Sequence, residues 1–207
     1  MNYLAHIFLA QQSDQAMLGA LLGDFVKASD TARYALPIQA DIILHRKIDS
    51  YTDSHPLVLD ARRLFQPQHR RYAGILLDVF YDHVLSQHWS RYSDAPMQDL
   101  IARFYAALQA HENILPDRLQ RALPYMVSQD WLGSYQDFAG VDIALRRVSQ
   151  RLSKNGHLLR EGIADLETHH AALSAGFLEF FPELIAYVAE QRQNMALVLP
   201  SSVMMST

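Results

Sequence analysis

Apolar residues recur along this chain at spacings of three and four, and the helical period persists nearly from end to end. No run of strict apolar/polar alternation is bounded by hairpin turns. Ser13 is placed to cap a helix running through MLGALLGDFV. Pro37 stands before a long pattern, IQADIILHRKID, that continues to about Ser54. Pro56 suits the first turn of a helix reaching Leu64, where a missing N–H is harmless. Helices are expected over 71–90, from Asp94 or Pro96 to about Ala110, and from Pro116 onward, where Pro124 predicts a break or kink. Segments 134–153, 158–175 and 176–194 complete the set, punctuated by Asn155-Gly156 and Pro182. The sum is an all-α protein, a single compact domain of about eight to ten helices over residues 1–195. The last stretch, 196–207, has too little pattern to place and is expected to be loose or docked on a neighbour.

Within this pattern LDVFYDHVLSQHW, from Leu77 to Trp89, is anomalous. At about 100° per residue Asp78 and Asp82 share one helix face with Ile75 and Leu85, so both carboxylates are expected to look inward. A buried ionised carboxylate costs several kcal/mol unless an arginine, a lysine or a metal ion pairs with it. Three other stretches repeat the anomaly. Asn2 and His6 are four apart, Asp24 follows a run of leucines, and His45, Asp49 and Asp53 stand at i, i+4 and i+8.

Each of these has a bland reading. His6 can be a satisfied core histidine, Asp24 the partner of a buried arginine, His45 and Asp49 a simple hydrogen-bonded pair. Asp53 is best placed to cap the next helix, and Arg46 can neutralise Asp78 and Asp82. Their number argues otherwise, because so many inward carboxylates and imidazoles exceed what a core of this size needs for structure. A histidine/aspartate shell suits Mg²⁺, Mn²⁺ or Fe²⁺ better than structural zinc. Such an ion activates water and withdraws charge from a phosphoryl oxygen, which points to metal-assisted hydrolysis. Phosphate-loop, dinucleotide-binding, H-E-x-x-H and nucleophile-elbow motifs are absent.

Composition narrows the picture further. Half of the 207 residues are apolar, enough for one sizeable core. The lack of cysteine excludes a disulfide framework, a zinc–thiolate site and a cysteine nucleophile, and fits a reducing compartment. MNYLAHIFLAQQ lacks a basic leader and a cleavage site, and no apolar run approaches the roughly 20 residues that span a bilayer. A soluble, cytoplasmic protein without a membrane partner is expected.

A net charge of −4 argues against generic nucleic-acid binding, yet two basic islands interrupt it. Arg62, Arg63, Arg70 and Arg71 stand between Asp60 and Asp78 without an acid, and Arg146, Arg147, Arg151, Lys154 and Arg160 between Asp142 and Glu161. They are either solvated helix faces or a docking surface for an acidic partner.

Taken together, MNYLAHIFLA, LLGDFV, HRKIDSYTD and LDVFYDHVLSQHWS resemble the acyl carrier protein phosphodiesterase family, in order over roughly residues 1–190. That family is similar in fold to the HD-domain phosphohydrolases. The resemblance implies hydrolysis of the phosphodiester joining 4′-phosphopantetheine to a serine of holo-acyl carrier protein, with a divalent metal, Mn²⁺ or Mg²⁺. Asn2, Leu4, Ala5 and His6 match its first motif, Asp24 its next aspartate, His45, Arg46, Ile48 and Asp49 its HRxID, and Asp78, Asp82 and His83 its DxxxDH. The adjacent pair here reads Asp82-His83, the reverse of the histidine-aspartate dipeptide of an HD domain.

On this resemblance Asp24, His45, Asp78 and Asp82 are expected to hold one or two ions, with Asp49 orienting His45. Arg46 is expected to clamp the non-bridging oxygens, and His6 or His83 to protonate the serine oxygen. The carrier is small and acidic, so Arg62, Arg63, Arg70, Arg71, Arg146, Arg147 and Arg151 become docking contacts. Two other readings stand beside it: an HD-like phosphohydrolase of a small nucleotide or phosphomonoester, and a non-enzymatic binder of an acidic protein.

Overall fold

Ser13 opens its helix as expected, its Oγ accepting from the Ala16 N–H at 3.1 Å. In the computed structural model, which describes residues 1–152 and 154–198, that helix is α2 (Asp14–Leu22). It follows a short buried helix, α1 (Tyr3–Phe8), and packs most closely against α3 (Leu36–Ser54). Gly19 permits this approach. A Cβ there would lie 2.5 Å from the Ile38 carbonyl oxygen and 2.7 Å from the Asp41 Cβ, so any larger residue would force the two helices apart.

The chain continues through α4 (Pro56–Arg63), α5 (Ala73–Gln87), α6 (Met97–Ala110), α7 (Asp117–Ser128), α8 (Phe138–Ser149), α9 (Gly156–Glu161), α10 (Ile163–Thr168) and α11 (His170–Val198). No strand occurs among the described residues. Helix α5 is the axis of the core. Leu76, Leu77, Val79, Phe80, Tyr81, Val84 and Leu85 are all buried, as are Asp82 and His83, so it is enclosed around most of its circumference and needs neighbours on several sides. Helices α1, α8 and α11 supply three of them.

Helix α11 is longer than the pattern implied. Residues 176–194 were expected as one helix with Pro182 as punctuation, and 158–175 as another. Instead α9 and α10 are short, and α11 runs unbroken through Pro182. A proline there forfeits one backbone hydrogen bond, but Phe177, Phe180, Phe181 and Leu184 around it are fully buried, and their burial outweighs the loss. Pro124 likewise lies inside α7 rather than ending it.

The stretch His170–Met195 is long and apolar enough to cross a membrane by length and composition, contrary to the sequence reading. Its apolar residues Leu173, Phe177, Phe180, Phe181, Leu184 and Val188 are packed into the core of this fold. Helix α11 extends to Val198, and the rest of the expected tail, 199–207, lies outside the described residues.

Asp53 does not cap α4, whose N-cap His55 makes no side-chain cap bond; it pairs instead with Arg62. Arg192 ties α11 to the α1–α3 layer, donating to the Leu9 carbonyl at 2.9 Å and to buried Asp41 at 2.7 Å.

Candidate metal centre

Helix α3 carries His45 and Asp49 one turn apart, and α2 ends directly above them. The C-terminal turn of α2 leaves the Ala20 carbonyl without a helical partner, since the Asp24 N–H goes to Leu21. The Nδ1–H of His45 donates to that carbonyl at 2.7 Å. This fixes the tautomer and turns Nε2 toward Asp24 at 3.4 Å and Asp49 at 3.1 Å. The ring has room because residue 23 is glycine: a Cβ there would lie 2.2 Å from the His45 Cγ.

His6 of α1 stacks on His45 with ring centroids 3.9 Å apart, and its Nε2 lies 3.1 Å from the other Asp49 oxygen. The α-ammonium of Met1 completes the group, 3.3 Å from Asp49 and 2.9 Å from Asp78. Four segments distant in sequence thus converge. The imidazoles are buried at 1% and 3% exposure, whereas Asp24, Asp49 and Asp78 are 43%, 38% and 35% exposed.

The electrostatics follow from this crowding. Burial works against a charged His45, but hydrogen bonds to Asp24 and Asp49 outweigh it and raise the ring to about 9. Burial and the neighbouring His45 charge lower His6 to about 4. Asp49 is held far below the usual carboxylate range, against burial, by hydrogen bonds with His45 and His6. Burial raises Asp78 in spite of the adjacent ammonium.

This donor set fits a divalent cation. His6, His45 and Asp49 each offer a ligand atom, and these atoms lie within 4.8 Å of one another. A neutral His45 would aim its Nε2 lone pair at two carboxylates, and a His6 protonated at the unpartnered Nδ1 would turn its Nε2 lone pair toward Asp49 as well. Acceptors converging in this way need a positive charge between them.

The structure redistributes several expected roles. Asp49 was expected to orient His45 from behind, but the Ala20 carbonyl does so and Asp49 faces Nε2 among the candidate ligands. His6, expected as a general acid, stands in the same triad. Asp24 and Asp78 flank it. Asp82, expected as a ligand, has both oxygens engaged, accepting from Leu4 N–H at 2.8 Å and Ala5 N–H at 3.0 Å, and so caps α1 in place of Asn2. Burial raises its carboxyl to about 7 against those two bonds.

His83 lies one residue further round α5 and donates Nδ1–H to the Tyr135 carbonyl at 2.7 Å, beside Phe138 and His170. Arg46 reaches the loop after Asp24, donating to the Val26 carbonyl at 2.8 Å, and does not point at the centre.

The basic islands differ. Arg62 and Arg63 pair with Asp53 and Asp60, and Arg70 donates to the Phe65 and Arg63 carbonyls. Arg71 lies over the Tyr72 ring. Arg146 pairs with Asp142, Arg147 stacks on Trp131, and Arg151 lies beside the Tyr3 hydroxyl.

Sequence reasoning missed the Met1 ammonium, the Ala20 carbonyl and a second buried pair, His69 Nδ1 to Asp165 at 2.7 Å. Main-chain groups leave no residue signature. Asp165, in an apolar helical stretch, did leave one, being an inward acid like Asp82.

Fold and site define an all-helical protein with a histidine–aspartate centre suited to a divalent cation. A family model described as acyl carrier protein phosphodiesterase matches residues 1–184. A relative of that name from Photorhabdus laumondii is 34% identical over 197 residues, covering 94% of this chain and 96% of the relative. Relatives of the same name from Salmonella dublin and Escherichia coli O157:H7 are 36% and 37% identical over 195 residues, each covering 92% of this chain and 99% of the relative. No solved structure matches. The chain belongs to the acyl carrier protein phosphodiesterase family.

Proposed function

We propose that this protein hydrolyses the phosphodiester linking 4′-phosphopantetheine to a serine of holo-acyl carrier protein, releasing the prosthetic group and the apo-carrier. The observation that carries this reading is the convergence of His6, His45 and Asp49, flanked by Asp24 and Asp78, in a member of that family. The five residues would hold a hard or borderline divalent cation, Mn²⁺ or Mg²⁺ with Fe²⁺ also suited. When bound, it supplies activated water and charge neutralisation at phosphorus. A likeness to HD-domain phosphohydrolases, helical enzymes with histidine and aspartate ligands, belongs to the same reading.

The protein's own groups have separable tasks. The Ala20 carbonyl sets the His45 tautomer, and Asp82 fixes α1 so that His6 lies flat on His45. Arg46 braces the loop that follows Asp24. His83 holds the Tyr135 carbonyl, and the Tyr135 hydroxyl accepts from the Asn2 amide at 2.6 Å, so His83 acts on the N-terminal segment through Tyr135.

The test is to incubate purified protein with holo-carrier and Mn²⁺, with and without chelator, and follow the carrier's mass. Loss of the phosphopantetheine mass, abolished by chelator and in Asp49→Ala, is the expected result. An unchanged carrier, with hydrolysis of a nucleotide or simple phosphomonoester instead, would overturn it.

A further inference from the structure

We infer that the acidic carrier docks on the face formed by α8, α9 and the residues Arg151 and Lys154 between them, and that the other basic stretch, 62–71, contributes little. This rests on the proposed function, and it separates two islands that the sequence alone offers as docking contacts alike.

Charge that is already paired attracts little. In the 62–71 stretch Arg62 and Arg63 form ion pairs with Asp53 and Asp60, while Arg70 donates to the Phe65 and Arg63 carbonyls and Arg71 lies over the Tyr72 ring, so two of its four charges lack a carboxylate partner among the described residues. On the other face only Arg146 has a carboxylate partner, Asp142 at 2.7 Å. Among the described residues no carboxylate pairs with Arg147, Arg151, Lys154 or Arg160. The second island therefore keeps the stronger positive field, four cations without a carboxylate partner among the described residues against two, and that field is the property that steers an acidic protein.

Arg147 is also ordered in advance. Its guanidinium lies over the Trp131 ring, 4.5 Å from the centroid, and its Nη2 donates to Gln129 at 2.7 Å. Stacking holds the group without neutralising it, and a side chain already immobilised loses less entropy on binding.

Position completes the argument. Arg147 and Arg151 line a small crevice with Asn2, Tyr3 and Val79, and Val79 follows Asp78 on α5. The Tyr3 hydroxyl lies near enough to both Asp24 and Arg151 to feel their opposite charges. The basic face thus begins at the rim of the metal centre. Arg146, next to Arg147 on α8, lines a depression of about 270 Å³ with His157, Arg160 and Glu161. A carrier whose acidic surface lies beside the modified serine would rest on this face with its phosphodiester at the centre.

The experiment measures binding of purified apo-acyl carrier protein by calorimetry, alongside hydrolysis of the holo form. Wild type, Arg147→Glu with Arg151→Glu, Lys154→Glu with Arg160→Glu, and Arg63→Glu with Arg71→Glu are compared at low and moderate salt. Reversal on α8 and α9 is expected to weaken binding by about tenfold or more and to flatten its salt dependence, whereas the 63/71 pair changes it less than about twofold. Arg151→Gln, which removes charge without reversing it, should fall in between, and thermal unfolding checks that each variant is folded.

Equal loss from both islands, loss from the 63/71 pair alone, or a wild type that does not bind the carrier would overturn the inference. A wild type that binds through α8 and α9 yet releases no prosthetic group would instead overturn the proposed function.

Discussion

His45 donates its Nδ1–H to the main-chain carbonyl of Ala20 at 2.7 Å. One bond thereby closes the end of α2 and turns Nε2, the candidate ligand nitrogen, toward Asp24 and Asp49, so a local folding requirement and the geometry of the site are met by the same proton. Asp24, four residues after Ala20, is carried on the turn that this bond pins.

Gly23→Ala tests that coupling. The added methyl would overlap the His45 ring and push it off the Ala20 carbonyl. Divalent-ion affinity is expected to fall about ten- to a hundredfold, as for other losses of a ligand's orienting partner. Titration with Mn²⁺ by calorimetry, with circular dichroism confirming the helices, reads the effect.

Asp49 bridges both imidazoles, so Asp49→Asn should remove one candidate ligand and loosen two others. Ion binding and phosphodiester hydrolysis are expected to fall on the order of a hundredfold or more, exceeding the loss in Gly23→Ala. Retention of ion affinity in Asp49→Asn would place the centre elsewhere.

Asp82→Ala should act on stability first. It strands the N–H groups of Leu4 and Ala5 inside the core, at a cost of roughly 2–4 kcal/mol. Asp82→Asn, which keeps one acceptor oxygen, is expected to lose less. Urea unfolding of the metal-free protein measures both.

The same carboxyl has a pH signature. Its folded value is raised by burial to about 7 from 3.8, so the folded chain retains a proton that the unfolded chain releases. Its contribution to stability is therefore greatest below 3.8, declines as pH rises toward about 7, and is flat above. That declining component should be missing from Asp82→Asn in unfolding experiments across this range.

Asp165→Ala provides a contrast. It leaves His69 Nδ1 and the Gln66 N–H without their acceptor, away from the centre, and is expected to cost about 2–4 kcal/mol in stability. Hydrolysis at a temperature where the variant is folded should be unchanged.

The helical class and most boundaries were legible because amphipathic spacing and proline or serine punctuation are local properties. Ser13 and Pro56 show this. Pro182 was misjudged because the burial of Phe177, Phe180 and Phe181 around it is a tertiary fact that outweighs a local penalty. In the site, i, i+4 spacing identified His45 and Asp49. It could not distinguish Asp78, which faces an ammonium, from Asp82, which faces two amide N–H groups. Both are inward acids one turn apart on α5. What each meets depends on where α1 crosses that helix, and no pattern within residues 77–89 encodes the crossing.

The unequal exposure of the centre has a kinetic consequence. Its buried imidazoles form a floor, and what faces solvent is a rim of three carboxylates. The Met1 ammonium and a charged His45 offset part of that negative charge and a bound cation would offset the rest, so an anionic ester should bind more tightly once the cation is in place. The KM for holo-carrier should then fall as the concentration of the ion is raised.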